Sequence, residues 1–183
     1  MTEQPALQTA RLVLRPFVTA DAPAVQRLAG AREIADTTLH IPHPYPDGGA
    51  EAWIATHPAG WEARTVVTFA ITDCRDGAVV GAIGLTLALA HERGELGYWV
   101  GAEYWNRGYC TEAAREVVAF GFRELGLHRI QARHLTRNPA SGRVMQKLGM
   151  RLEGVHRDAI RKWDRFEDLA LYAILVDEWV GPP

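Results

Sequence analysis

The sequence predicts an α/β (α+β) fold, a mixed and mostly antiparallel sheet flanked by helices. Three observations carry it. Two apolar, β-branched runs, Thr65 to Thr72 and Val79 to Ala90, are joined through Asp76-Gly77, a strong hairpin signal. A third run, Glu95 to Val100, feeds a long helix, and Arg129 to Leu135 follows as another strand. A helical crossover of that length makes the two strands it joins parallel.

The elements follow in order. Arg11 to Phe17 alternates as a strand does, with Leu12 and Leu14 on one side. Thr19 and Asp21 offer caps for a helix through about Leu28. Thr37 to Gly49 holds three prolines and two histidines and reads as an ordered loop. Ala50 to Thr56 is a helix with Trp53 and Ile54 as its apolar positions. After the hairpin, the chain turns at His91 to Gly94 into the strand Glu95 to Val100. The following helix has Ala114, Val117, Val118 and Leu125 at spacings of three or four, a buried stripe, and stops at Gly126. Asn138-Pro139 opens another helix, which buries Ala140, Val144, Met145 and Leu148 and ends at Gly149. Met150 to Val155 and Leu169 to Val176 close the sheet.

Composition bounds the rest. A chain of 183 residues, 48% hydrophobic and 23% charged, suits one domain spanning residues 1–183. A net charge of −2 gives no ground for a nucleic-acid partner. No segment has the apolar length of a membrane span, and the first residues carry no apolar signal core. Two cysteines, Cys74 and Cys110, form no framework and no metal-ligand spacing. A reduced, cytoplasmic protein without a metal, a nucleic acid or a membrane is expected.

The chemistry concentrates where the third strand meets its helix. Arg107-Gly108-Tyr109-Cys110-Thr111 leads into a helix N-terminus, where backbone N–H groups lack partners and the macrodipole is positive. Gly108 lets an anion approach the backbone, and Arg107 adds a full charge. From these residues alone, an anion site and an ordinary connection capped by Thr111 both stand open. A thiol at such a terminus beside Arg107 is expected to have a lowered pKa, so Cys110 should react faster than Cys74.

The run Glu95 to Val100, followed by Trp105-Asn106-Arg107-Gly108-Tyr109-Cys110-Thr111-Glu112-Ala113, resembles the acyl-CoA-binding core of the GCN5-related N-acetyltransferases. The resemblance is specifically to the ribosomal-protein N-acetyltransferase branch. Two positions depart from the family pattern Gln/Arg-x-x-Gly-x-Gly/Ala: Trp105 stands first, and Cys110 replaces the last small residue. A second block, Asn138 to Met150, resembles the family's next motif at Asn138, Ser141, Lys147, Leu148 and Gly149. The resemblance covers almost the whole chain.

It implies acetyl-CoA as cosubstrate, with the diphosphate held by Arg107, Gly108, Tyr109, Cys110 and Thr111. It also implies that the two parallel strands splay, with the thioester oxygen near Trp99 and Val100. An oxyanion donor of that kind contributes about 3 kcal/mol. Strand parity places Glu95 on the face of Gly97 and Trp99, and the resemblance makes it the base for the attacking amine, directly or through water. The plain alternative is a solvated carboxylate paired with Arg93. Ser141 is implied as proton donor to the leaving thiolate, Tyr172 being a weaker alternative, and Asn138 as cofactor contact as well as helix cap. The loop carrying His40, His43 and Tyr45 borders the acceptor site in the family. The implied reaction is direct acetyl transfer to a primary amine, a peptide N-terminus in this branch. A small-molecule acceptor, a CoA-binding module without turnover and a homodimer stay open.

Overall fold

The computed structural model describes residues 3–181. Its strands form one sheet in the order β1-β2-β3-β4-β5-β6-β8-β7. The first five run antiparallel: β1 (Leu7–Gln8), β2 (Leu12–Arg15), β3 (Val66–Asp73), β4 (Val79–Ala88) and β5 (Arg93–Val100). Between β2 and β3 lie four short helices, α1 (Ala22–Ala29), α2 (Arg32–Thr37), α3 (Gly49–Ala55) and α4 (His57–Glu62). The long helix α5 (Tyr109–Arg123) crosses to β6 (Arg129–Leu135), which pairs parallel with β5. Helix α6 (Pro139–Lys147) then leads to β7 (Arg151–Lys162) and β8 (Arg165–Leu175), and β8 inserts antiparallel between β6 and β7.

Two apolar layers clamp the sheet. On one side α5 and α6 pack through Ala114, Val117, Val118 and Met145 onto Phe69, Leu85, Leu96 and Ile130. Gly121 allows the close approach of α5, since a Cβ there would come within 2.8 Å of Ile130 Cδ1. On the other side Phe17, Val25, Leu28, Ile34 and Ile54 pack with Ala82 and Trp99. Neighbouring residues of β5 therefore serve opposite layers, with Leu96 and Val100 on the α5 side and Trp99 on the α1 side.

The feature that makes a site is the brevity of the parallel pairing. Strands β5 and β6 are matched only at Arg93/Arg129, Gly94/Ile130 and Glu95/Gln131. Past that point β5 stays with β4 as far as Val100, and β6 stays with β8 as far as Leu135. A wedge opens between them, and its walls carry backbone groups released from the ladder.

Several boundaries differ from the sequence reading. Helices α2 and α4 have six residues each, too few for a periodicity to register, and are held by burial of Ile34, Ala35 and His57. The Pro-rich loop thus begins after Thr37, which closes α2. The hairpin β7–β8 runs on to Lys162 and Arg165 rather than stopping near Val155 and Leu169, with an irregular register between His156 and Ile160. Its added strand faces are charged and largely exposed, so they show no apolar alternation. Asp21 does not cap α1; its carboxylate accepts from the Val18 N–H and from Arg15. The α5 helix ends at Arg123, three residues before Gly126, whose φ is 65°. Ala140 on α6 is exposed rather than buried.

Candidate active site

The wedge opens into a cavity of about 1360 Å³ that reaches both faces of the sheet. Its cofactor-like end is the start of α5. Gly108 stands at the cap position with φ 81°, a left-handed conformation, and no side chain caps the helix. Thr111 lies inside the first turn and does not act as the cap. The preceding turn is braced from behind. Arg11 donates to the Arg107 carbonyl at 3.0 Å and to Glu112 at 2.7 Å. The Tyr109 hydroxyl donates to Asp73 at 3.1 Å, which fixes that ring in the core. The Trp105 indole donates to the Val100 carbonyl at 2.6 Å, so the departure at this position ties the loop to the end of β5. Arg107 is exposed, with its guanidinium over the Tyr104 ring at 5.6 Å. An exposed cation beside N–H groups with no side-chain partner is suited to a diphosphate.

Glu95 sits at the last matched position, where the wedge begins. Its carboxylate accepts from Arg133 Nε at 2.8 Å and from Gln131 Nε2 at 3.0 Å. The partner is therefore Arg133, not Arg93, because the parallel register sets β6 beside it. Trp99 falls in the α1-side layer, as strand parity required.

Ser141 lies on the opposite wall, in the first turn of α6. Its Oγ is 2.8 Å from the Tyr98 hydroxyl, which also donates to the Ser141 carbonyl at 3.2 Å. Burial, with a smaller contribution from nearby Cys110, raises the Tyr98 phenol far above its usual range, so it stays protonated. Asn138 caps α6 by accepting from the Ser141 N–H at 3.4 Å, and its Nδ2 donates to the Thr37 carbonyl at 3.3 Å. Arg137 reinforces that link, donating to Asp36 and Glu167.

Sequence reasoning passed over Tyr98, Gln131 and Arg133. In the structure Tyr98 shares the α5-side face of β5 with Leu96 and Val100, and nothing in the sequence brings it to Ser141, 43 residues away. Tyr172 is buried against Gln146 and the His134 ring rather than lining the cavity. His40 and Tyr45 line the cavity, whereas His43 Nδ1 donates to the Gly30 carbonyl at 3.2 Å.

Cys110 corrects an expectation. It is half-buried and packs against the core, and burial pushes its thiol up from 9.0 to about 12. Desolvation of the thiolate outweighs the field of the helix terminus.

Comparison with known proteins agrees with this geometry. The acetyltransferase (GNAT) domain family matches residues 11–151. The uncharacterized N-acetyltransferase YnaD of Bacillus subtilis (strain 168) is 31% identical over 174 residues, 94% of this chain and 98% of the relative. The ribosomal protein uS5-alanine N-acetyltransferase of Escherichia coli (strain K12) is 24% identical over 139 residues, 67% of this chain and 70% of the relative. Among solved structures, RimL, a ribosomal L7/L12 α-N-protein acetyltransferase in complex with coenzyme A, has the same fold. It superposes with a TM-score of 0.87 at 15% identity, over 95% of this chain and 99% of that one.

Proposed function

We propose, on the premise that this chain belongs to the GNAT acetyltransferase family, that it moves an acetyl group from acetyl-CoA to the N-terminal amine of a protein or peptide. Membership makes it an acyl-CoA-dependent acetyltransferase. The proposed acceptor and route are supported by relatives named for ribosomal proteins. The reading includes one acetyltransferase unit along the chain and a cytoplasmic site of action.

The observation that carries it is the placement of two proton-handling groups on opposite walls of one wedge. Glu95 stands at the apex on the α1 side, while Ser141 and Tyr98 stand on the α6 side. The amine attacks the thioester carbon from the first side as a C–N bond forms, and its proton passes to Glu95 or to water held there. Arg133 and Gln131 keep that carboxylate aimed. The C–S bond then breaks, and the thiolate takes a proton from Ser141 Oγ, in hydrogen-bond contact with Tyr98. The raised thiol of Cys110 supports direct transfer over an acetyl-cysteine intermediate. The diphosphate rests on Gly108 to Thr111, and Trp99 and Val100 line the wedge where the thioester oxygen gains charge.

Acetyl-CoA-dependent thiol release against peptides, amino acids, polyamines and aminoglycosides tests this reading. Glu95→Gln should lower kcat about 10²-fold or more while acetyl-CoA affinity stays near wild type. Ser141→Ala should lower kcat too, and less so for thioesters with better leaving groups. Wild-type turnover by both variants would remove the two roles. Binding of CoA without thiol release from any acceptor would leave a binding module.

A further inference from the structure

The cavity does not end at Glu95. It continues across the α1 face, where Val25, Ile34, Ile41, Tyr45, Trp53 and Trp99 form its wall. Val25 and Ile34 belong to the core behind it, and Ile41, Tyr45 and Trp53 are half-buried at its surface. The wall is held in place before any acceptor arrives. The Tyr45 carbonyl accepts from Gln26 on α1, and the Tyr45 ring lies over Gly49, where a Cβ would meet it at 3.2 Å. Pro42, Pro44 and Pro46 stiffen the segment that carries it. Burial raises the Tyr45 phenol, which keeps the ring neutral.

Charge tells what cannot sit there. Of the carboxylates in the described chain, Glu95 alone lines the cavity, and it is engaged by Arg133 and Gln131. The other full charges lining it are Arg107, Arg133, Arg143 and Lys147, all positive. A polycationic acceptor would find no second carboxylate to pair with. A single amine beside Glu95 with an apolar body behind it meets no such difficulty. Room for the bond to that body exists at Gly97, two residues along the same face, where an added Cβ would touch nothing within 4 Å.

We propose that the acceptor bears its amine next to a bulky apolar or aromatic group, so that the preferred peptide begins with a residue such as Phe, Leu or Trp rather than Ala or Ser. This rests on the acetyl-transfer reading and adds the specificity of the same site. Burying such a side chain against the aromatic wall raises kcat/KM by between about tenfold and a hundredfold over a one-carbon side chain.

The test uses the full chain and acetyl-CoA, reading thiol release with peptides that differ only in the first residue: Phe, Leu, Trp, Ala, Ser, Lys and Asp. Phenylethylamine and free phenylalanine distinguish a small amine from a peptide, and spermidine and an aminoglycoside supply polycations. Peptides beginning with Phe, Leu or Trp should lead Ala and Ser by at least tenfold, with the polycations last. In Trp53→Ala the ratio of Phe-peptide to Ala-peptide kcat/KM should fall at least tenfold. Because Trp53 also packs on Phe17 and His57, Ile41→Ser in the loop provides a second variant expected to lower the same ratio. Equal or better use of Ala, Ser or a polycation overturns the inference and leaves the transferase intact. Thiol release with none of these acceptors, in a protein that still binds CoA, overturns both.

Discussion

Helices α5 and α6 both start at the rim of the cavity, and they start differently. Helix α6 is closed by its own side chain: Asn138 accepts from the Ser141 N–H, and its amide is tied to Thr37. Helix α5 begins at a left-handed Gly108 with no side-chain cap, and its turn is braced by exposed Arg11 and by the buried Tyr109 hydroxyl on Asp73. The capped terminus has committed one of its donors to its own side chain, and the glycine-started one has committed none to a side chain. The same macrodipole therefore serves structure in one helix and ligand binding in the other.

The largest effect is expected at Gly108. Gly108→Val puts a β-branched residue at φ 81°, with its Cβ 3.4 Å from Arg11 Nη2, so the turn that presents the free N–H groups must shift. Calorimetry should show CoA affinity lower by tenfold or more, about 1.4 kcal/mol. Gly108→Ala should fall between. Wild-type affinity in a folded Val variant would take the diphosphate away from α5.

Asn138→Ala sharpens the contrast from the other side. Losing the cap should cost about 1 kcal/mol of stability, a fall in Tm of about 2–4 °C. CoA affinity should drop by less than in Gly108→Val, since both polar ends of Asn138 already have protein partners. An equal or larger loss would mean that the two termini share the ligand.

The smallest effect separates field from burial at α5. A thiol reagent followed by mass spectrometry should mark exposed Cys74 well before Cys110, the reverse of what the helix terminus alone suggests. Faster labelling of Cys110 would show the terminus prevailing over desolvation. The sign for stability follows from the same shift. The unfolded chain gives up this proton above about pH 9, while the folded chain holds it toward about 12, so stability contributed here is lost as pH rises through that window. Cys110→Ala should flatten the alkaline limb of a melting-temperature profile.

Much of this was legible in the chain itself. The alternation in β2, the Asp76-Gly77 hairpin and the three-four stripe on α5 are local patterns, and each reports a local choice of backbone. Gly108 and Asn138 stood out because special backbone positions select few residue types. Helices α2 and α4 were not legible, since six residues held by Ile34, Ala35 and His57 depend on what they pack against. The outer half of β7–β8 was not either, because an exposed, charged strand has no apolar period.

By itself the sequence determined the longer strands and helices and their order, though not β1, α2 or α4, together with the parallel crossover and the turn into α5, all products of short-range periodicity and turn chemistry. Only the tertiary structure decided that β5 and β6 part after Glu95 and Gln131, that Arg133 rather than Arg93 meets Glu95, and that Tyr98 reaches Ser141. Those pairings join residues 38 and 43 positions apart. Strand register and helix packing choose them, and a linear pattern fixes only which face a side chain takes, not what comes to stand opposite.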